Sequence, residues 1–208
     1  GYTINGLYIN RFETNYVGLI GFMNNNATVT NVSLESADTT GNRSVGTLVG
    51  INFGGFVENS HADGDVSGTN YTGGLMGANY GSLLGSSAMV NVNGTNNTGG
   101  LSGGNNGTIS GSYAMGNVSG NMSVGGLVGW NKDTVENSYA TGEITGDNIV
   151  GGLVGWSYYF SSNVKNSYAT GDVTGSQNVS GLVGWNDRGM IENCYANGTV
   201  SGENKVGG

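Results

Sequence analysis

The side chains of this 208-residue chain that could do chemistry are few, and they fall in columns rather than clusters. Asp65, Asn91, Asn117, Glu143 and Asp172 recur at one position of a repeating pattern, and Asp63-Gly-Asp65 brings two carboxylates close together. Hard cations take oxygen ligands of this kind, and paired carboxylates can hydrolyse glycosides. The dense Gly-Asp nonapeptide of calcium-binding solenoids is absent. The column therefore reads as a solvated polar face, with a polysaccharide-active enzyme as the catalytic alternative. A single histidine, His61, cannot make a His-rich metal centre and reads as surface filler. Gly100-Leu-Ser102-Gly-Gly104 matches G-x-S-x-G literally, but no strand-to-helix elbow or partnering histidine follows it. The lone Cys194 cannot form an intrachain disulfide; it stands in a column otherwise read as Ser60, Ser86, Ser112, Ser138 and Ser167, where it acts as a small packed side chain. These residues give no catalytic assignment, no metal site and no cofactor.

What positions them is a repeat. A phrase seen in full as Gly125-Gly-Leu-Val-Gly-Trp-Asn131 places its leucine at Leu19, Leu48, Leu75, Leu101, Leu127, Leu153 and Leu182, at spacings of 29, 27, 26, 26, 26 and 29 residues. A second phrase, Val135-Glu-Asn-Ser-Tyr-Ala-Thr-Gly-Glu-Ile-Thr-Gly146, returns at Val164–Gly175 and Ile191–Gly202. A fixed period of this length means one supersecondary unit stacked on copies of itself. Frequent glycines rule out helix, and each period divides into three Gly-bounded runs: Gly126–Trp130, Val135–Ala140 and Gly142–Gly146. The expected fold is an all-β, right-handed parallel β-solenoid (β-helix) with three short strands per coil and about seven coils of 26–29 residues. At the ~4.8 Å spacing of paired strands, seven coils span roughly 35 Å.

Composition agrees with that picture. Pro is absent and Gly supplies 42 residues. The glycines keep to columns such as Gly21, Gly50, Gly77, Gly103, Gly129, Gly155 and Gly184, which marks tight corners and close backbone approach. With 6 basic and 14 acidic residues the formal net charge is -8. The chain has no basic footprint for nucleic acid. No apolar stretch approaches the ~20 residues of a membrane span, so no direct membrane insertion is expected.

Alternation assigns directions to the columns. Ala62, Ala88, Ala114, Ala140, Ala169 and Ala196 should point inward with the Ser/Cys column, the Leu column, and the series Val66, Val92, Val118, Ile144, Val173 and Val200. Between the Ser and Ala columns an outward series contains Tyr113, Tyr139, Tyr168 and Tyr195, an aromatic ladder at sheet spacing. Trp130, Trp156 and Trp185 form a second ladder. Either is a stack along the sheet or a platform for sugar rings or a neighbouring molecule. Val128 and Trp130 share a face opposite Leu127, so that strand is buried on both sides or exposes an apolar interaction stripe. Eleven Asn-x-Ser/Thr sequons, at Asn26, Asn31, Asn42, Asn70, Asn93, Asn96, Asn106, Asn117, Asn121, Asn178 and Asn197, are candidate N-glycosylation sites.

Gly-Gly-Leu-Val-Gly-Trp-Asn followed by Asn-Ser-Tyr-Ala-Thr-Gly resembles the GLUG repeat family over residues ~18–208. Such repeats occur in large bacterial and archaeal cell-surface proteins and in the non-catalytic parts of IgA-specific metallopeptidases, whose zinc-binding His-Glu-x-x-His helix has no counterpart here. The resemblance implies an extracellular, non-enzymatic structural or adhesive module of a cell-surface protein, stalk, surface layer or filament. A carbohydrate-binding module using the Tyr and Trp ladders is the alternative from another class. Residues 1–17 read as a lead-in or partial cap, and 18–208 as a single repeat domain, a segment of a longer chain or assembly. Expected partners are further chain or other copies at the solenoid ends, in a head-to-tail filament, and surface glycans.

Overall fold

The computed structural model describes residues 2–208 and contains only strands, turns and loops. Every strand pairing is parallel, and each joins a residue to its equivalent in the next repeat, as in Trp130↔Trp156 and Ala140↔Ala169. The chain is thus a parallel β-solenoid, the fold the period predicts.

Its coil is divided more finely than three runs. Three sheets contain seven strands each, and a fourth contains thirteen. In the coil of Leu127 the first sheet receives Met122–Gly125, the second Val128–Asn131, and the third Thr134–Glu136. The fourth receives two short strands, Tyr139–Ala140 and Ile144–Thr145. In earlier coils these last two are one strand, as in Ser87–Asn93.

Two columns of left-handed backbone recur along the coils, and the first of them makes a division. Asn31, Asn59, Gly85, Gly111, Asn137, Asn166 and Asn193 all have φ between 48° and 59° and turn the chain from the third sheet into the fourth. Only Asn and Gly occupy this position, because they enter the left-handed region at least cost. The run Val135–Ala140 is therefore broken at Asn137. The second column, Ser44, Tyr71, Asn97, Ser123, Ile149, Asn178 and Lys205, lies within the first sheet, with φ from 51° to 58°. The ladder skips these residues, pairing Asn96 with Met122 and Thr98 with Val124.

The interior is narrow. Leu48, Leu75, Leu101, Leu127 and Leu153 are fully buried, as are Val124, Val128 and Val135 beside them. The alanine column from Ala62 to Ala169 and the series from Val66 to Val173 are also buried, both facing inward as alternation required. The first and second sheets touch backbone to backbone: a Cβ on Gly129 would lie 2.5 Å from Asn97 C and Thr98 N. Face-to-face sheets held apart by side chains sit about 10 Å apart, so this glycine column sets a much tighter contact. At the start of the chain, Tyr2–Asn5 and Tyr8–Asn10 add an eighth layer on Val32–Thr40.

Candidate functional site

Buried polar groups organise the coil before any surface site can form. Ser60, Ser86, Ser112 and Ser138 form a continuous series in which each backbone N–H donates to the serine hydroxyl of the next coil: the Ser112 N–H donates to Ser138 Oγ and the Ser138 N–H to Ser167 Oγ, both at 3.1 Å. Each hydroxyl also donates to the carbonyl two residues earlier, as Ser138 does to Glu136 at 2.7 Å. Cys194 makes the same contact, Sγ to the Glu192 carbonyl at 3.1 Å, so it fills the serine position sterically.

A second buried series escaped the reading of the sequence. Asn52, Asn79, Asn105 and Asn131, at the end of the Gly-Trp-Asn phrase, are fully buried. Asn79 Nδ2 donates to Asn105 Oδ1 at 2.9 Å, and Asn105 Nδ2 to Asn131 Oδ1 at 2.8 Å. Each asparagine also closes its own loop, as Asn105 does with Gly107 at 2.9 Å. The invariance of Asn at this position in the middle coils was the available signal. At Ser157 the series changes: Asn131 Nδ2 donates to Ser162 Oγ at 2.8 Å, and Ser162 Oγ meets Ser157 Oγ at 2.7 Å. Two serines replace one asparagine because residues 158–162 form a longer loop.

The polar column of the fourth sheet lies along an open groove of about 600 Å³ lined by Asp65, Asn91, Asn117 and Glu143 with Ser119 and Thr145. Much of its hydrogen-bonding capacity serves the backbone. Asn117 Oδ1 accepts from the Glu143 N–H at 3.0 Å, and Asp172 Oδ1 from the Thr199 N–H at 2.7 Å. Asp65 and Glu143 stand three coils apart, about 14 Å at sheet spacing, beyond the ~5–9.5 Å of glycosidase carboxylate pairs. Glu143 and Asp172 are one coil apart, but both are exposed. Among the described residues no group of three or more His, Cys, Asp or Glu could hold a metal ion. His61 Nδ1 pairs with Ser87 Oγ at 2.7 Å on the same face. Ser102 Oγ is buried and donates to the Gly104 carbonyl at 2.9 Å, which removes it from nucleophilic chemistry.

The two aromatic columns differ in geometry. Tyr113, Tyr139, Tyr168 and Tyr195 stack face to face at 4.9, 5.0 and 5.0 Å, with interplanar angles of 2°, 3° and 5°. Burial raises the Tyr139 phenol above its ordinary pKa, helped by the neighbouring Tyr113 and Tyr168. Trp130, Trp156 and Trp185 are register partners but do not form a flush stack. Trp156 and Trp185 are tilted by 39° at 6.2 Å, while Tyr158 packs 5.8 Å from Trp130 and edge-on to Trp156 at 5.2 Å. Val128 is buried and Trp130 half-buried, so the outward side of this strand is covered in part by its own aromatic neighbours. Where Gly104 lacks a ring, Tyr71 lies over it, edge-on to Trp130 at 6.4 Å. The rings continue toward the first coil through Tyr80, Phe53, Phe22 and Tyr16. Desolvation raises the Tyr80 phenol, and Tyr71 adds to the effect.

The sequons also separate. Asn26, Asn31, Asn93, Asn117, Asn121 and Asn197 are exposed, whereas Asn42, Asn70, Asn96, Asn106 and Asn178 are half-buried. Thr72, Thr98 and Ser123, the hydroxyl residues of the sequons at Asn70, Asn96 and Asn121, have buried oxygens.

A solenoid built from Gly-Leu-Val-Gly coils, with ladders of Ser, Asn and Tyr running from coil to coil, defines a non-globular repeat protein. The GLUG motif matches at residues 120–145, 146–174 and 175–201. Residues 120–201 of the chain thus carry three consecutive GLUG motifs. A 70-residue stretch is 39% identical to halomucin from Haloquadratum walsbyi (strain DSM 16790 / HBSQ001), covering 34% of this chain and 1% of that protein. The chain therefore spans only a very small part of the length of this relative. No solved structure matches it.

Proposed function

We propose that this chain is a non-enzymatic structural segment of an extracellular cell-surface protein, a rigid rod that spaces or displays other parts. The observation that carries the reading is the use of its polar side chains: Asn, Ser and Asp columns hydrogen-bond from coil to coil instead of converging on a reactive centre. Such a ladder suits a mechanical element, since every coil is tied to two neighbours and none stands alone. The GLUG motif and the similarity to part of halomucin support a surface setting. Display of N-linked glycans belongs to the same reading. Asn26, Asn31, Asn93, Asn117 and Asn197 are the favoured sites, because both the asparagine and the sequon hydroxyl residue lie at or near the surface.

The test is an assay of reducing-end release from neutral and acidic polysaccharides by the purified chain. No release is expected. Release that disappears in Asp65→Asn or Glu143→Gln would replace the structural reading with a polysaccharide-active enzyme.

A further inference from the structure

The coil that begins at Leu153 departs from its neighbours in one loop. From Trp156 to Val164 the chain takes three more residues than from Trp130 to Val135, and the added segment brings Tyr158, Tyr159 and Phe160 in succession. Nothing in the core requires them: the turn of the preceding coil is closed by Asn131 with the shorter loop Lys132–Asp133.

We propose that this loop is a binding platform for a neutral polysaccharide, on the second-sheet side of the solenoid and away from the polar groove. The proposal deepens the surface-protein reading and rests on it. Its first support is exposure of the rings. Phe160 is 69% exposed and Tyr159 47%. Tyr158 and Tyr159 are inclined by 44° at 5.4 Å, and Tyr159 and Phe160 by 78° at 5.9 Å, so the rings do not cover one another as stacked tyrosines do. An exposed aromatic face accepts the apolar C–H face of a pyranose, which buries area without requiring charge.

Strain is the second support. Tyr159 has φ 82° and Arg188, on the loop of the next coil, φ 68°. A bulky residue held in the left-handed region costs free energy, and such residues concentrate at binding sites where the surroundings hold them. The Ser161 hydroxyl fixes this loop by donating to the Lys132 carbonyl at 2.7 Å.

The third support selects the occupant. The Arg188 guanidinium lies 5.1 Å over the Phe160 ring, and its Nε is 3.3 Å from Asp187 Oδ1. A cation on an aromatic face is held there by the ring quadrupole. With Asp187 beside it, the patch offers both donors and acceptors for hydroxyl groups and carries no net formal charge. A ligand with apolar faces, hydroxyl edges and no charge matches it; an anionic glycan would meet Asp187 and a chain of net charge -8.

Affinity electrophoresis of the 208-residue chain tests this in gels containing hydroxyethylcellulose, galactomannan or xylan, with alginate as the anionic arm. Retardation by at least one neutral polymer is expected, with the apparent Kd raised about tenfold or more in the double variant Tyr159→Ser/Phe160→Ser. Tyr139→Ala, on the fourth sheet, should bind like the parent. Circular dichroism establishes that each variant is folded. A variant lacking residues 158–160 and carrying Ser157→Asn, which restores the coil length of Trp130–Val135, gives a second reading of the same loss. Failure of every neutral polymer to retard the chain overturns the proposal, as does retardation by alginate alone or binding unchanged in the variants. Self-association abolished by Phe160→Ser, without glycan binding, would identify the patch as an interface between copies and also overturn it. Reducing-end release bears on the structural reading instead, so the two can fail separately.

Discussion

The tyrosine ladder of the fourth sheet and the aromatic loop at residues 158–160 use the same kind of side chain to opposite ends. Tyr113, Tyr139, Tyr168 and Tyr195 occupy one register position at near-constant spacing, so each ring covers the next within 5.0 Å; Tyr113, Tyr139 and Tyr168 are half-buried, while Tyr195, last in the row, is exposed. Tyr159 and Phe160 belong to no column. Without an equivalent in the preceding coil, much of their surface stays exposed, with Arg188 over one face of Phe160. Periodicity converts aromatic surface into cohesion, and a break in periodicity returns it to the solvent. In a solenoid, the insertion is therefore a better place to look for recognition than the repeat.

The most severe way to break the contrast is to force the coils apart beneath the tyrosines. A Cβ on Gly142 would collide with the Gly116 carbonyl, at the corner next to Tyr139. Gly142→Val should cost at least ~3 kcal/mol, because the obstruction is backbone that cannot move aside. Chemical denaturation would measure it, and near-parental stability would show that the coils are not in close backbone contact at Gly142.

Asn105→Ala comes next. It removes donors to Gly107, Asn131 and Thr134 and an acceptor for Asn79, the two bonds between asparagines being buried and the other two part-buried, for an expected loss of ~2–4 kcal/mol. An unchanged denaturation midpoint would contradict the buried-ladder account.

Tyr139→Ala should cost less, ~1–2 kcal/mol, since its two stacked neighbours keep their other contacts. The ladder also has a pH signature. The Tyr139 pKa is raised in the folded state above its ordinary value of 10.0, so the protonated phenol is favoured by folding. Its contribution is fully present below the unfolded pKa and disappears as pH rises through the folded one. Alkaline titration followed by phenolate absorbance and thermal melting should place that loss above pH 10 in the parent and reduce it in Tyr139→Ala.

The smallest effect belongs to the insertion. Deleting residues 158–160 with Ser157→Asn should leave the melting temperature within a few degrees of the parent, because the loop supplies no fully buried apolar side chain and the asparagine series is restored. Global unfolding of this variant would mean that the aromatic loop supports the coil, and the contrast with the tyrosine ladder would collapse.

The sequence by itself determined the solenoid, because a residue paired with its own equivalent in the next coil carries the same type in every repeat. Leu127, Ala140, Ser138 and Ile144 could be placed inside by alternation alone, and the tyrosines could be put in one row. The coil's subdivision was only partly legible. The Asn/Gly corner at Asn137 has a composition signal, while the left-handed column in the first sheet does not: Ser, Tyr, Asn, Ile and Lys all occupy it, since the surrounding ladder rather than the residue imposes the conformation. Its only hint was the β-branched residue that follows each of them, Val45, Thr72, Thr98, Val124, Val150, Val179 and Val206. The candidate binding patch was decided by tertiary structure. Phe160 meets Arg188 of the next coil, Tyr158 comes between Trp130 and Trp156, and Tyr139 hides its faces while Tyr159 shows more of its ring. Register fixes which backbones pair, but ring tilt and exposure depend on what the neighbouring coils leave unfilled.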